Sequence, residues 1–437
     1  MKKIVFKVLL VLILLSQYNS LGQEVIVVSK QKLIEEAQNK NLSIQMSQKD
    51  VEKAKASFSQ TNAIYLPTIT ASHTGISTTN PLMAFGSRLN QGILTQNDFN
   101  PSLLNNPNQT QNFATIIKVE QPLINLDGLY NRKAAKSKMD AMSLKSKRTK
   151  DYLVLEIDKA YMQLQLAYKG VEVLEKALET AETIKEIAAN NFNEGYLQRA
   201  DILNIDIRVT EVKNQHQTAK SNIQNASNYL SFLMNDKTDV LYKPNDSLLL
   251  SNLNIDDKSI SENRSDIKAM ELSLKGYEAL NKADKMAFLP RLNAFGSYEI
   301  YDKNAFQGNA SGYVIGAQLS WDIFKGSKRF GKLKKSKAEL EKSKLAYLQY
   351  VSKSNLELNK VKRQLVDAKN KLKLTALAVE QSKESLRIRK NRFKEGLEKT
   401  SDLLQAETQL IQKELEYYQT IFEYNFTQAY VTFLTKE

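Results

Sequence analysis

Several residue types that support catalysis are scarce or missing in this chain. It contains no cysteine, which excludes disulfides, thiol nucleophiles and a lipid-modified N-terminal cysteine. Its 2 histidines, His73 and His216, lie in segments that are predicted to be different elements. The sequence has no glycine-rich phosphate loop, no nucleophile elbow and no cluster of metal ligands. It therefore predicts a protein that is not an enzyme and that uses no cofactor or metal.

Proline and glycine are also scarce, with 7 prolines and 15 glycines in 437 residues. All the prolines lie outside four long stretches: 129–193, 198–234, 327–394 and 398–435. Because a proline inside a helix costs about 3 kcal/mol, this distribution predicts that the four stretches are helical.

Beyond its start the chain has no uncharged apolar run of about 18 residues, so no transmembrane helix is predicted there. The start combines three lysines with the apolar run Ile4–Leu15 and the small residues Ser20 and Gly22. We interpret residues 1–22 as a signal peptide. The alternative, a single N-terminal membrane anchor, would need a longer apolar core. The mature chain is then exported, and any part of it that spans a membrane must consist of strands.

Positive charge is in excess, and the formal net charge is +14. The basic residues are spread along amphipathic stretches such as Lys332–Lys344 and Lys360–Lys373, where acidic residues are interleaved. We interpret these stretches as solvated helix faces, and we expect no nucleic acid as a partner.

The chain contains two copies of one unit. Three pairs share an offset of 201 positions: Phe192 and Phe393, Gly195 and Gly396, and Asp201 and Asp402. Two upstream matches share an offset of 223 positions: Tyr65–Pro67 with Phe288–Pro290, and Asn41–Ile44 with Arg264–Ile267. The difference between 223 and 201 indicates extra residues after Pro67 in the first copy. That region is rich in Asn, Gln, Pro and Gly, which predicts a long loop over 77–111.

The apolar residues of the predicted helices recur every seven positions. One seam in the second copy is unbroken: Val351, Leu358, Leu365, Leu372, Val379, Leu386 and Phe393. The equivalent seam in the first copy runs from Ile157 to Phe192 and is interrupted by Lys185. A second seam of small residues indicates helix neighbours on both sides, as in a closed helical barrel. A simple coiled-coil bundle would explain the heptads equally well.

Between the helices the apolar period changes to two, which predicts strands. The alternating segments are about 66–76, 112–124, 289–301 and 312–324. A tilted strand of about 9–11 residues can cross the hydrocarbon layer. Four strands cannot close a barrel, since about eight are needed, and spanning strands cannot leave open edges in lipid. A membrane role therefore requires several protomers to pool their strands, in multiples of four, within the lipid.

These patterns define the predicted fold class, which is mainly α with a small membrane β part. Residues 23–234 form the first structural repeat, 235–263 an inter-repeat linker and 264–437 the second repeat. Each repeat has long coiled-coil helices and a two-strand β hairpin. The predicted helices are 28–63, 129–193 and 198–234, followed by 264–287, 327–394 and 398–435.

Residues at the ends of these elements carry a family resemblance. Leu66-Pro67 and Leu289-Pro290 precede the first strand of each copy, and Gln121-Pro122-Leu123 ends a second strand. Each helix hairpin has the pattern E-G-x-x-x-x-x-D-x-L. In this order, from about Val28 to Leu434, the chain resembles the TolC-like outer membrane efflux protein family. The resemblance implies a homotrimer, with a β-barrel of three times four strands in the outer membrane and an α-helical tunnel in the periplasm.

The resemblance also implies partners and the residues that meet them. The partners would be a periplasmic adaptor (membrane fusion) protein and an inner-membrane pump of the RND or ABC type. Gly195, Tyr196, Gly396 and Leu397 would form the tips at which the adaptor docks. Glycine suits such a helix end because it accepts a positive φ.

A second implied site is the periplasmic entrance constriction, formed by Asp402, Gln405, Phe393 and Glu398. Asp402 matches an acidic ring position, and one such residue per chain would favour cations. Gln405 stands where the family has a second acidic residue. Phe393 and Glu398 stand where the family's closed state uses a tyrosine and an arginine. The closed state must therefore be held differently.

Two assignments at the hairpins stay open on sequence alone. Arg392 or Lys399 could pair with Asp402 to hold the entrance closed. Asp201 opens the equivalent helix of the first copy, and a carboxylate that interacts with the helix dipole explains it as well as a functional role does.

The predicted function is an outer-membrane exit duct of an efflux or type I secretion system for small molecules or proteins. The alternative is a periplasmic or secreted coiled-coil scaffold without channel activity, which would have no need of four alternating strands.

Overall fold

The computed structural model describes residues 25–236, 240–251 and 259–437. The predicted signal peptide lies outside the described residues, as does part of the predicted linker. The chain forms two compact units. The helical unit comprises the residues up to Gln48, Lys145–Ser265 and Val351–Glu437, and the sheet unit comprises Lys49–Leu144 and Asp266–Tyr350.

The secondary structure follows the two-copy order. The first copy contains β1 (Val25–Val28), α1 (Lys30–Lys40), α2 (Leu42–Gln60), β2 (Thr68–Thr78), α3 (Pro81–Asn90), α4 (Pro101–Asn105), β3 (Thr110–Ile124), α5 (Leu126–Asn193) and α6 (Arg199–Met234). The linker and second copy contain β4 (Leu241–Pro244), α7 (Ser265–Met286), β5 (Arg291–Asp302), β6 (Ala310–Ser320), α8 (Lys328–Lys394) and α9 (Thr400–Thr435). No helix in the described part of the chain is long and apolar enough to cross a membrane.

The single helix predicted over 28–63 is divided in the structure, and Asn41 is the cause. The backbone at Asn41 is extended, and its side-chain oxygen accepts from the amides of Ser43 at 2.9 Å and Ile44 at 3.3 Å. Its side-chain nitrogen donates to the carbonyl of Leu233 at 2.7 Å. The break is thus fixed by a buried contact with the end of α6, which the local sequence pattern does not contain.

A parallel strand pair joins the start of the chain to the predicted linker. Within the helical unit, β1 pairs with β4 in the register Val25 to Leu241. Tyr242 of β4 is buried in the same apolar core as Tyr161 of α5. The predicted inter-repeat linker, 235–263, therefore contains a strand that packs into the core.

The segment predicted as a long loop, 77–111, holds two short helices instead. Asn80 and Asn100 cap them, and each is followed by a proline in the first turn. The Asn80 side chain accepts from the amide of Met83 at 3.2 Å, and the Asn100 side chain accepts from the amide of Ser102 at 3.0 Å. Asn-Pro is a strong helix-start signal. The composition that was interpreted as loop therefore includes two helix starts.

Gln91 anchors this helical segment to the sheet. Its side-chain nitrogen donates to the carbonyl of Gln111 at 2.8 Å, to the side chain of Asn112 at 2.9 Å and to the carbonyl of Asp302 at 3.2 Å. Gln91, Asn112 and Asp302 are all buried. The segment is therefore attached to one end of β3 and β5.

The four predicted strands form one antiparallel sheet in the order β2-β3-β5-β6. The register aligns apolar residues on one face. One row across the strands is Ile69, Val119, Gly296 and Ile315, and the next is Ala71, Ile117, Tyr298 and Tyr313. The opposite face is more polar, with a row of Thr70, Lys118, Ser297 and Val314. The sheet therefore presents one apolar and one mixed face.

The apolar face of the sheet is uncovered. Ile69 is 67% exposed, Tyr313 75% and Ile315 80%. In water such a surface is unfavourable, since apolar area contributes about 25 cal/mol per Å² when it is buried. Among the described strands, β2 and β6 each have only one neighbour, so both edges of the sheet are open.

In the helical unit the heptad seams form the core. Ile157, Ala160 and Leu164 of α5 are almost completely buried, as is Leu358 of α8. The interruption of one seam has a direct explanation, because the ammonium of Lys185 lies 2.7 Å from the carboxylate of Asp206 on α6.

Candidate functional site

Two tight turns at the ends of the long hairpins share one hydrogen-bond pattern. After α5, the amide of Tyr196 donates to the carbonyl of Asn191 and the amide of Gly195 to that of Phe192. After α8, Leu397 donates to Arg392 and Gly396 donates to Phe393 in the same way. This double pattern is the Schellman motif, in which glycine takes the left-handed conformation. The φ angles of Gly195 and Gly396 are 82° and 70°.

Each turn places one large side chain at the surface directly after its glycine. Tyr196 is 73% exposed, and Leu397 is 67% exposed. At Gly195 and Gly396 a Cβ would meet no atom of the described residues within 4 Å. Backbone conformation therefore requires glycine there, and the surface above each turn is open.

The two turns are tied to each other beneath the surface. The side-chain amide of Asn191 donates to the carbonyl of Phe393 at 3.2 Å. An apolar cluster below them includes Ile184, Ile205, Leu386 and Leu403 from all four long helices. The tips of α5–α6 and α8–α9 therefore form one packed body.

Phe393 lies in this cluster and is 1% exposed. Its ring is thus inside the protomer, and the placement of Phe393 at an entrance constriction stays a prediction. Its equivalent in the first copy, Phe192, is 37% exposed.

Glu398 carries the strongest charge contacts at the second turn. The guanidinium of Arg389 lies 2.5 Å from one carboxylate oxygen, and that of Arg392 lies 2.8 Å from the other. Arg392 also donates to the carbonyl of Leu397 at 3.1 Å. Glu398 itself is 9% exposed in its side chain. The negative charge at this position thus organises two arginines across the turn.

Asp402 takes part in the same group through Arg389, at 3.8 Å. Both side chains are partly exposed. The pairing expected from sequence, Arg392 or Lys399 with Asp402, is therefore not the one found. Arg392 pairs with Glu398, and Lys399 makes no ion pair within the described part of the chain. The pairing of Arg389 with Asp402 could have been predicted from the sequence. A tight hairpin at Gly396 places residues that are similarly far from the turn opposite each other.

The equivalent carboxylates Asp201 and Asp402 have different contacts. Asp201 accepts from the backbone amide of Gln198 at 3.1 Å and so caps the start of α6. Asp402 accepts from the hydroxyl of Ser401 at 3.2 Å. The helix-start role of Asp201 explains that residue, whereas Asp402 remains available for another role. Gln405 is exposed one turn further along α9.

A buried ion pair lies deeper in the same unit and is not apparent from sequence. Nε of Arg208 on α6 lies 2.5 Å from Oε2 of Glu407 on α9, with side-chain exposures of 8% and 2%. Arg208 also contacts Glu211 at 3.3 Å. Burial raises the pKa of Glu407 above its usual value, and the hydrogen bond from Arg208 opposes that shift without cancelling it.

No group of three or more residues that could hold a metal ion occurs in the described ranges. Of the histidines, His73 stacks on Phe306 with ring centroids 4.0 Å apart, and His216 lies 3.5 Å from Glu175. The chemistry of the site is therefore that of charged and apolar surfaces around two helix hairpins.

Comparison with known proteins identifies the family. The sequence profile described as outer membrane efflux protein matches residues 33–236 and 258–433. The chain belongs to this family. No curated protein matches it significantly. The match covers both copies, and it leaves out part of the linker between them.

Solved channels of this family type have the same fold. A structure of CusC aligns with a TM-score of 0.81 at 15% identity and covers 96% of this chain and 95% of that one. The Campylobacter jejuni CmeC outer membrane channel aligns at 0.80 and 19% identity, with coverage of 93% and 85%. The Vibrio cholerae outer membrane protein VceC aligns at 0.79 and 16% identity, with coverage of 93% and 96%.

As a member of the outer membrane efflux protein family, the chain is an outer-membrane protein. The two-repeat fold expected from the offsets is confirmed. Family membership makes the chain an efflux channel protein, so the alternative of a coiled-coil scaffold is set aside.

Proposed function

We propose that three copies of this chain form the exit duct of a multicomponent efflux or secretion system. The duct passes small molecules or proteins that an inner-membrane pump of the RND or ABC type delivers through a periplasmic adaptor. The chain performs no catalysis in this account, and the energy for transport comes from the pump.

The observation that carries this proposal is the four-stranded sheet with one uncovered apolar face and two open edges. In a bilayer the apolar face is favourable, but an unpaired strand edge leaves several amide and carbonyl groups without partners. Each such group costs several kcal/mol in hydrocarbon. Pairing β2 of one copy with β6 of the next removes the open edges, and three copies supply three times four strands for a closed barrel.

The edge pairing can be tested by disulfide trapping, because the chain has no native cysteine. A cysteine at Ser72 on β2 is combined in turn with one at Gly312, Val314 or Gln318 on β6, all on the mixed face. At least one pair is expected to give covalent dimers and trimers that separate on reduction, and each single-cysteine variant is the control. Only monomers from every pair, in membranes that contain the protein, would contradict the proposed closure.

The proposed adaptor contact is at the two turns. Tyr196 and Leu397 are exposed, apolar in part and close to a packed support, which suits docking by a partner hairpin. Serine at both positions is expected to abolish adaptor crosslinking and export in cells while single-channel conductance is retained. The exposed Glu395 beside them provides a matched control as Glu395→Gln, which should leave crosslinking unchanged.

The proposed entrance is lined by Asp402 and Gln405, with Glu398 holding Arg389 beside Asp402. Repeated in three copies, Asp402 would give a ring of negative charge that favours cations.

A further inference from the structure

The start of α8 is strongly basic. The ten residues Lys328–Lys337 include six lysines and arginines and no acidic residue. Positive charge at a helix N-terminus is unfavourable because it adds to the positive end of the helix dipole. Lys328 and Arg329 lie in the first turn, where this effect is strongest, so the helix dipole disfavours their charges.

Most of these charges are not used inside the protein. The five lysines of the segment are exposed. Lys335 and Lys337 have only loose contacts with Glu339 at 3.8 Å and Glu341 at 4.0 Å, one turn further along the same helix. Lys328 and Lys334 make no ion pair within the described residues. We call Lys328, Lys334, Lys335 and Lys337 the lysine patch.

Two other basic residues of the segment have structural partners. Lys332 lies 2.7 Å from the carboxylate of Asp284 on α7. Arg329 donates to the carbonyl of Ile323 at 2.7 Å. These two residues fix the start of α8, so the lysine patch is presented on a firm support. They are left out of the tests below for that reason.

Exposed apolar side chains lie between β6 and the lysine patch: Trp321 is 59% exposed, Ile323 75% and Phe324 78%. Phe330, within the first turn of α8, is 61% exposed. The indole of Trp321 donates to the carbonyl of Phe288 at 2.9 Å, so the ring is held in place. A strand that is followed by exposed aromatic residues and then by lysines matches the order hydrocarbon, interface and headgroup of a bilayer.

The matching start of α5 in the first copy carries an acidic residue, Asp127, in its first turn and exposes Lys133, Lys136 and Lys138. In its matching segment, Arg132 is held by Thr61 at 2.9 Å and Asn62 at 2.6 Å and lies over the ring of Phe58. The first copy therefore uses its arginine for packing and balances its helix start with an acidic residue, whereas the helix start of the second copy has no acidic residue in its first turn and leaves four lysines in solvent.

We propose that the lysine patch binds the phosphate headgroups of anionic phospholipids where the sheet unit meets the periplasmic leaflet. The proposal rests on the proposed function, since it needs the strands to span the membrane. The charge of the patch favours an anionic occupant, since each lysine near an anionic membrane surface strengthens binding by about fivefold. The adjoining aromatic side chains favour a lipid over a soluble polyanion, because aromatic residues are enriched at membrane interfaces. The binding weakens at high salt.

The test compares two variants with the same change in charge. The patch variant carries Lys→Gln at 328, 334, 335 and 337. The control variant carries Lys→Gln at 353, 360, 369 and 373, which are exposed lysines later in the same helix. Because every substituted side chain is in solvent, both variants should fold, and circular dichroism and the oligomer mass check this.

Lipid selectivity is measured on the purified oligomer in neutral detergent. Phosphatidylglycerol or phosphatidylcholine is titrated in, with the thermal midpoint and the lipids retained in native mass spectrometry as readouts. Wild type and the control variant should prefer phosphatidylglycerol over phosphatidylcholine. In the patch variant this preference should be weaker by a factor of at least about ten. Equal selectivity of the two variants overturns the proposal.

Two further measurements separate the possible failures. Conductance in phosphatidylcholine bilayers should be the same for wild type and the patch variant. If wild type conducts but shows no preference for phosphatidylglycerol, the lipid proposal fails and the channel stands. If wild type neither assembles nor conducts, the proposed function fails. Peptidoglycan is the alternative partner. If the patch variant loses binding to isolated peptidoglycan but keeps the lipid selectivity of wild type, the lipid assignment is overturned.

Discussion

Arg208 and Glu407 form a buried ion pair that joins α6 of the first copy to α9 of the second. Their closest atoms are 2.5 Å apart, and the second carboxylate oxygen of Glu407 is buried without a hydrogen-bond partner among the described residues. The pair thus links the two copies through a buried charge contact. Removing one partner should destabilise the protein mainly because the other charge then stays buried without its partner.

Replacing Glu407 with alanine is expected to destabilise the protein strongly, because Arg208 would stay buried with only Glu211 nearby. Loss of one partner of a buried pair costs about 3–5 kcal/mol. The thermal midpoint of the oligomer should therefore fall by roughly 5–10 °C. The double variant Arg208→Met with Glu407→Met should recover most of the loss. A double variant as unstable as the single one would contradict this account.

The pH dependence of stability should also report on Glu407. Burial raises its pKa in the folded state above the ordinary value of 4.5, so folding favours its protonated form. The resulting stability is complete below about pH 4.5 and is lost as the pH rises through the raised pKa. The thermal midpoint of wild type should therefore fall relative to that of Glu407→Gln from pH 4.5 upward. Parallel curves would show that the shift is absent.

Neutralising Asp402 and neutralising Asp201 should have different effects on the channel. Asp402→Asn is expected to reduce the cation preference of the channel, measured as the reversal potential in a salt gradient. Asp201→Asn should leave the reversal potential unchanged and lower stability by about 0.5–1 kcal/mol through the lost helix cap. If Asp402→Asn keeps its cation preference, the assignment of Asp402 to the entrance is wrong.

Glu398→Gln should raise the conductance of the resting channel. The substitution removes the charge that holds Arg389 and Arg392 across the second turn. Glu395→Gln, a neighbouring exposed residue, provides the control for a change in charge at the tip. Single-channel recordings of both variants check this, and identical conductance would show that the arginine contacts do not restrict the entrance.

Much of the fold could be predicted from periodicity. The period of seven predicts the long helices, the period of two predicts the four strands, and the repeated glycine turns predict both hairpins. These signals are local, since each arises from the spacing of side chains along one element.

The features that sequence did not reveal depend on distant contacts. Asn41 ends α1 through a hydrogen bond to Leu233, and the strand at Leu241–Pro244 forms because β1 pairs with it. Neither partner lies in the local sequence window. The helices within 77–111 are different, since their Asn-Pro starts are local signals. The segment was nevertheless predicted to be a loop, because its overall composition is rich in Asn, Gln, Pro and Gly.

At the site, sequence identified the turns but not the charge contacts. Gly195 and Gly396 follow from the helix ends. From the sequence, Glu398 differs from the family's arginine in the sign of its charge, but its contacts with Arg389 and Arg392 are not apparent. Such pairs depend on rotamers on both sides of a turn, and residue spacing alone does not determine them.

The most direct test of the account is to determine the oligomer mass and the conductance of one purified preparation. The account predicts a detergent-solubilised particle that contains three protein chains and that gives stepwise, cation-selective currents in a planar bilayer. A monomer that stays soluble without detergent and produces no current would contradict it.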